Sequence, residues 1–215
     1  VFVKICGITS RADAEAAVAA GADAIGIVCA ASPRQVAPER MAAIVEALPP
    51  GVMSFGVFRN EEPSRVVEIV RASGLSGAQL HGDERLEEVA WVARQVGCVI
   101  RAIPWGSPLG ADSGIVDGVW AVLVDGARPG SGECVDWGRV ALPRAARAIV
   151  AGGLTPENVA EAIERFAPFG VDVASGVERS PGRKDPARVA AFVRNAREAA
   201  RRMEGLVGSQ REGES

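Results

Sequence analysis

The chain is poor in the residues that most often announce a function. Its 215 residues include one histidine, no tyrosine, four tryptophans and six phenylalanines. The four cysteines (Cys6, Cys29, Cys98, Cys134) are widely scattered and form no Cys-x-x-Cys pair. With a single imidazole beside them, no zinc-site pattern exists, and free thiols in a reducing cytoplasm are expected. A net charge of −3 offers no basic surface for nucleic acid. No apolar run approaches the roughly 20 residues of a membrane span, and no charged-then-apolar leader opens the sequence. The expectation is a cytoplasmic protein with neither nucleic-acid nor membrane partners.

What is present is aliphatic. Hydrophobic residues make up 48% and aromatics only 5%, so the core has to be built from Ala, Val, Ile and Leu. The length suits one domain with a large core or two small ones. Short apolar runs alternate with amphipathic ones. Strands are expected at residues 1–8, 23–29, 51–58, 77–82, 99–105, 121–126, 148–154 and 170–176. Helices are expected between them: Ser10 caps one over 11–20, Pro38 opens one to about Leu48, and 63–73 carries Val66, Val67, Ile69 and Val70 on a helical period. Others are expected over 85–96, 136–145, from Thr155-Pro156-Glu157 to about Phe166, and from Asp185-Pro186 to about Met203. Residues 106–118 are rich in Gly, Ser and Asp, so the fifth helix should be short or irregular. Eight strand–helix units predict a single-domain (β/α)₈ TIM barrel over residues 1–204, with 205–215 a polar, disordered tail. An open doubly wound sheet fits worse, because the first strand lacks a Gly-x-Gly-x-x-Gly turn.

In such a barrel the chemistry gathers where strands end. Those ends carry Cys6, Cys29, His81, Asp125, Gly152-Gly153 and Ser175-Gly176. Period-two alternation turns Phe2, Lys4 and Cys6 to one face of the first strand, Gln79 and His81 to one face of the fourth, and Ala121, Leu123 and Asp125 to one face of the sixth. The first and sixth strands lie across the barrel from each other. Cys6 and Asp125 thus make a candidate acid–base pair facing over a pocket, with Lys4 placed to favour the thiolate. Taken singly, each is as readily a small core residue or a loop-capping carboxylate; the facing pair at the catalytic end favours function. Gly152, Gly153, Ser175 and Gly176 follow the seventh and eighth strands, where barrels commonly hold phosphate on backbone N–H groups. Tight strand-to-helix turns alone would also need glycine. Gly130-Ser131-Gly132 could add to that cradle. Arg34 could pair with a substrate carboxylate, although a solvated loop arginine is its default reading. His81 reads as an imidazole beside the pocket, structural slightly ahead of proton-transferring.

Several motifs occur in a telling order: Lys4-Ile5-Cys6-Gly7-Ile8-Thr9, Ser32-Pro33-Arg34-Gln35-Val36, Gln79-Leu80-His81-Gly82, Ala151-Gly152-Gly153-Leu154-Thr155-Pro156-Glu157-Asn158-Val159, Gly170-Val171-Asp172-Val173-Ala174-Ser175-Gly176-Val177-Glu178 and Ser180-Pro181-Gly182-Arg183-Lys184-Asp185. Together, over about residues 3–195, they resemble the phosphoribosylanthranilate isomerase family of tryptophan biosynthesis. The resemblance implies an Amadori rearrangement of a phosphorylated small molecule with no metal or organic cofactor, by a monomer or homodimer. It implies Cys6 as general base, Asp125 as general acid, Arg34 on the anthranilate carboxylate, and phosphate on Gly152, Gly153, Ser175 and Gly176, with His81 also lining the substrate site. Two places differ from the family's habit: Val28-Cys29-Ala30-Ala31 before Ser32, and Arg128-Pro129-Gly130-Ser131-Gly132 after Asp125. The rivals are the sister isomerase of histidine biosynthesis, which uses two aspartates where this chain has Cys6 in the first position, and a non-catalytic phosphate-binding barrel.

Overall fold

The computed structural model describes residues 1–105, 118–126, 142 and 147–212, the side chains of 206–212 excepted. Eight parallel strands close into a barrel in sequence order: β1 (Phe2–Ile5), β2 (Ala24–Val28), β3 (Met53–Phe58), β4 (Gly77–Leu80), β5 (Val99–Pro104), β6 (Ala121–Asp125), β7 (Ala148–Val150) and β8 (Gly170–Val173). Pairing of β1 with β8, Lys4 beside Asp172, closes the ring. The described helices are α1 (Arg11–Ala19), α2 (Pro38–Val45), α3 (Pro63–Ala72), α4 (Leu86–Val96), α5 (Val159–Phe166) and α6 (Pro186–Glu212). This is the expected (β/α)₈ barrel. The expected helix over 136–145, the irregular stretch 106–118 and the Gly-rich loop 127–133 lie outside the described residues, apart from Leu142 and Gly118 themselves.

The expected patterning holds along the strands. Val3 and Ile5 of β1 join the layer between barrel and helices, with Val66, Ile69 and Val70 of α3 and Val89 and Val92 of α4. Each such side chain contributes about 1.5–3 kcal/mol on full burial. The opposite strand faces fill the barrel with Ala24, Phe55, Ile100, Ala121, Leu123 and Ile149. Ser10 caps α1, its Oγ accepting from the Asp13 N–H at 3.1 Å.

The aliphatic-core expectation needs one correction. The barrel floor is aromatic: Phe2, Phe55, Trp120 and Phe169 meet there with ring centroids 5.4–5.9 Å apart. The Arg147 guanidinium lies 5.0 Å from the Trp120 ring centre and 5.5 Å from that of Phe169. A scarce residue type is concentrated where eight strand starts leave a wide gap to plug.

Other boundaries moved for local reasons. Helix α5 starts at Val159 rather than at Thr155. The Thr155 N–H donates to Asn158 Oδ1 and the Glu157 N–H to Thr155 Oγ1, so side chains close a turn before the helix begins. Strand β8 stops at Val173, and Ser175–Val177 form a 3₁₀ turn. An unexpected antiparallel hairpin follows, β9 (Glu178–Ser180) with β10 (Arg183–Lys184). Gly182, with φ 77°, supplies its left-handed turn. Helix α6 runs to Glu212, past the expected end at about Met203. Glycine costs a helix about 1 kcal/mol but does not stop it, and no proline follows Pro186.

Candidate active site

Strand β1 delivers Cys6 to the top of the barrel. Lys4, one step below on the same face, is fully buried, and its ladder neighbour Asp172 on β8 receives its Nζ at 2.8 Å. Burial works against the Lys4 charge, but Asp172 and Cys6 together hold the ammonium above its ordinary value. Across β2, Gly26 makes the room: a Cβ there would lie 2.7 Å from Cys6 Sγ and 3.0 Å from Lys4 Nζ. Burial pushes the Cys6 thiol up; Lys4 and Lys184 pull it down, and Asp172 pushes it further up. The expectation that Lys4 favours the thiolate holds for its own pull. Desolvation outweighs that pull, with Asp172 engaging the same ammonium, and the thiol lies above its ordinary value.

Asp125 ends β6 and is buried. Its Oδ1 accepts the Gly126 N–H at 2.7 Å, and its Oδ2 lies 3.1 Å from His81 Nε2. The other ring nitrogen, Nδ1, lies 3.0 Å from Gln79 Nε2 on β4. The shared face expected for Gln79 and His81 is what brings this row together. Trp105 anchors the strand end, its backbone N–H donating to the Asp125 carbonyl at 2.8 Å and its indole N–H to that of Ala151 at 3.2 Å.

Arg34 is no solvated loop residue. Its Nε and Nη2 donate to the two carboxylate oxygens of Glu178, each at 2.8 Å. Lys184 Nζ, fully buried, donates to Glu178 Oε1 at 2.9 Å and to the Ala174 carbonyl at 3.0 Å. Burial raises the Glu178 carboxyl, but Arg34 and Lys184 together hold it below its ordinary value. Burial also brings Lys184 below its own ordinary value despite Glu178. Glu178 occupies one edge of the guanidinium and leaves the Nη1/Nη2 edge for a second carboxylate. Gly7 (φ 73°) permits this packing, since a Cβ there would lie 2.7 Å from Arg34 Cδ.

The glycines after β7 and β8 have steric reasons of their own. A Cβ on Gly152 would lie 2.2 Å from the Gly126 nitrogen, and one on Gly176 only 1.9 Å from the Leu154 carbonyl oxygen. Gly152 and Gly153 both hold left-handed φ, 85° and 71°. Gly130-Ser131-Gly132 lies outside the described residues.

Cys6, Arg34, Gln79, His81, Asp125 and Asp172 line one cavity of about 200 Å³. Among the described residues no cluster of His, Cys, Asp or Glu could hold a metal ion, and no helix is long and apolar enough to cross a membrane. A sequence pattern of N-(5'-phosphoribosyl)anthranilate (PRA) isomerase matches residues 3–195. The chain belongs to the phosphoribosylanthranilate isomerase family. It is 44% identical over 208 residues to the N-(5'-phosphoribosyl)anthranilate isomerase of Trichlorobacter lovleyi, covering 93% of this chain and 99% of that one. The crystal structure of the family member from Thermus thermophilus matches with a TM-score of 0.79 at 40% identity, over 92% of this chain and 99% of that one. A further family structure, at 36% identity and TM-score 0.79 over the same shares, is a complex with reduced 1-(o-carboxyphenylamino)-1-deoxyribulose 5-phosphate.

The sequence singles out Cys6, Asp125, Arg34 and His81 as candidates, and the fold brings all four to one cavity. It gave no role to Glu178, Lys184 or Asp172, although all three stand in or beside the family motifs. The one available signal was their charge within otherwise apolar or turn-forming runs.

Proposed function

We propose that the protein converts N-(5-phosphoribosyl)anthranilate to 1-(2-carboxyphenylamino)-1-deoxyribulose 5-phosphate, with Asp125 as general acid and Cys6 as general base. The observation that carries this reading is convergence: a thiol and a carboxyl at two strand ends and a guanidinium from the segment between β2 and α2 line one cavity. Family membership supplies the substrate, and the related complex with a reduced product-like molecule supports its class.

Asp125 protonates the furanose ring oxygen, the C1–O bond breaks, and the nitrogen lone pair forms a Schiff base. Because Oδ1 is held by the Gly126 N–H, the delivered proton rides on Oδ2. Cys6, once ionised, takes the proton from C2, and the enolamine tautomerises to the ketone. The free edge of Arg34 receives the anthranilate carboxylate, while Glu178 holds the other edge. The phosphate sits on the backbone N–H groups of Gly152, Gly153, Ser175 and Gly176, where the glycines admit close approach. No step calls on a cofactor. A reducing cytoplasm keeps Cys6 a thiol, and the working unit is a monomer or homodimer.

The test is loss of phosphoribosylanthranilate fluorescence, with the substrate generated in situ, beside turnover of the aminoimidazole substrate of the histidine pathway. Turnover of the first alone supports the reading. Turnover of the second alone reassigns the substrate, and binding without turnover of either makes the barrel non-catalytic.

A further inference from the structure

The row Gln79–His81–Asp125 contains an atom that the reaction above does not use. Gln79 is fully buried, and its Oε1 has no hydrogen-bond partner among the described residues, while its Nε2 faces His81 Nδ1 at 3.0 Å. An amide nitrogen can only donate and an amide oxygen only accept. The end of the amide facing Nδ1 therefore decides whether that nitrogen carries a proton.

We propose that Gln79 selects the protonation state of His81, and through it that of Asp125 Oδ2, so that both act as positioning residues for the general acid. The inference rests on the reading of Asp125 as the acid. With Nε2 of Gln79 toward the ring, Nδ1 must be a bare acceptor. The imidazole then carries its proton on Nε2 and donates it to Asp125 Oδ2 across 3.1 Å. Both Asp125 oxygens are then accepting, Oδ1 from Gly126 and Oδ2 from His81, which is the arrangement of a carboxylate that has already given its proton away. With Oε1 toward the ring instead, Nδ1–H is held. Nε2 then either accepts from a protonated Oδ2 or, in the imidazolium, supplies a proton to it. From the imidazolium, one proton passes from Nε2 to Oδ2 and on to the ring oxygen of the substrate, leaving neutral His81 with Nδ1–H on Gln79 and Asp125 a carboxylate. No other donor or acceptor is consumed. The two amide orientations thus correspond to a discharged and a charged acid. The other charged or titratable groups on the two hollows that His81 lines are Arg59 after β3, Asp83 after β4, and Cys6, Arg34 and Asp172 across the barrel top. Among the described residues the His81 ring has its direct partners on β4 and β6, and its backbone N–H donates to the Phe58 carbonyl on β3.

The sequence makes the test clean, because the chain has one histidine. Nitrogen NMR of the ¹⁵N-histidine-labelled protein reports one imidazole and which of its nitrogens is protonated. The parent should show Nε2–H with bare Nδ1. A free imidazole also favours that form, so the deciding spectrum is that of Gln79→Glu, whose carboxylate can only accept. There Nδ1 should become protonated. Gln79→Leu, which has no polar atom to bury, should lower kcat at least about tenfold with KM within twofold, as when a histidine loses its orienting partner. Circular dichroism checks the fold of each variant. If a folded Gln79→Glu keeps the parent's nitrogen pattern, or a folded Gln79→Leu keeps the parent's kcat, the selector role is overturned. If Gln79→Glu does not fold, Gln79→Leu decides alone. Asp125→Asn separates the two readings: full turnover there removes Asp125 as the acid, whereas an inactive Asp125→Asn with an indifferent Gln79 removes only the selector.

Discussion

The two ends of this barrel solve opposite problems. At the floor, where the strands begin, Phe2 stacks on Phe169, both meet Trp120 edge to face, Phe55 packs on Trp120, and the Arg147 guanidinium lies over Trp120 and Phe169. At the top, Lys4, Asp172, Glu178, Lys184 and Arg34 sit buried or half-buried in pairs, around a thiol and a carboxyl. Rings pack without a desolvation penalty and add about 0.5–1.5 kcal/mol per pair beyond their area. Buried ion pairs contribute little net stability, but removing one partner is costly. The floor therefore holds the barrel together, and the top spends part of that stability on placing charges where a reaction needs them.

The largest expected effect breaks the comparison at the top. Cys6→Ala should lower kcat by about 10²–10⁴-fold, the range for losing a general base, with thermal unfolding close to the parent's. A kcat within tenfold of the parent's would remove Cys6 from the reaction. Next, Trp120→Ala at the floor should cost about 3 kcal/mol of unfolding free energy, the lower end for losing a large aromatic, since Trp120 is half-buried. Its kcat, read well below the unfolding transition, should stay within about twofold of the parent's, and a selective collapse of kcat would mean that the floor reaches the chemistry.

Two smaller changes sharpen the contrast. Glu178→Gln keeps the shape but removes the charge shared by Arg34 and Lys184. It should cost about 1–3 kcal/mol, the range for a buried group losing its partner, and raise KM more than it lowers kcat. An unchanged KM would mean that Arg34 needs no support to meet the substrate. Asp172→Asn removes a charge that pushes the Cys6 thiol up and leaves the Lys4 ammonium beside it. The thiolate then forms at lower pH. Because the base acts deprotonated, the alkaline rise of kcat/KM and of the Cys6 alkylation rate should both move to lower pH. A move to higher pH would contradict the electrostatic account.

The contrast also explains what was readable in advance. Alternation along β1, β4 and β6 identified the inward faces correctly, because a buried strand has only two sides. Strand ends therefore pointed to Cys6, His81 and Asp125 without any fold in hand. The aromatic floor was not readable: Phe2, Trp120 and Phe169 are far apart in sequence and meet only when the ring closes. The direction in which Cys6 is shifted was not readable either, since it depends first on burial and then on Lys4 and Asp172 beside it. Glu178 and Lys184 were missed because the hairpin that carries them interrupts the strand–helix rhythm. Helix α6 outran its expected end because glycine near a helix terminus marks a stop only when tertiary structure uses it as one.

The most direct test of the division between the ends is Asp125→Asn, assayed for both turnover of phosphoribosylanthranilate and unfolding free energy. The account predicts a kcat at least about 100-fold lower, with unfolding free energy within about 1 kcal/mol of the parent's, the scale of one neutral hydrogen bond. A variant that turns over normally, or one that loses activity only because it no longer folds, would contradict it.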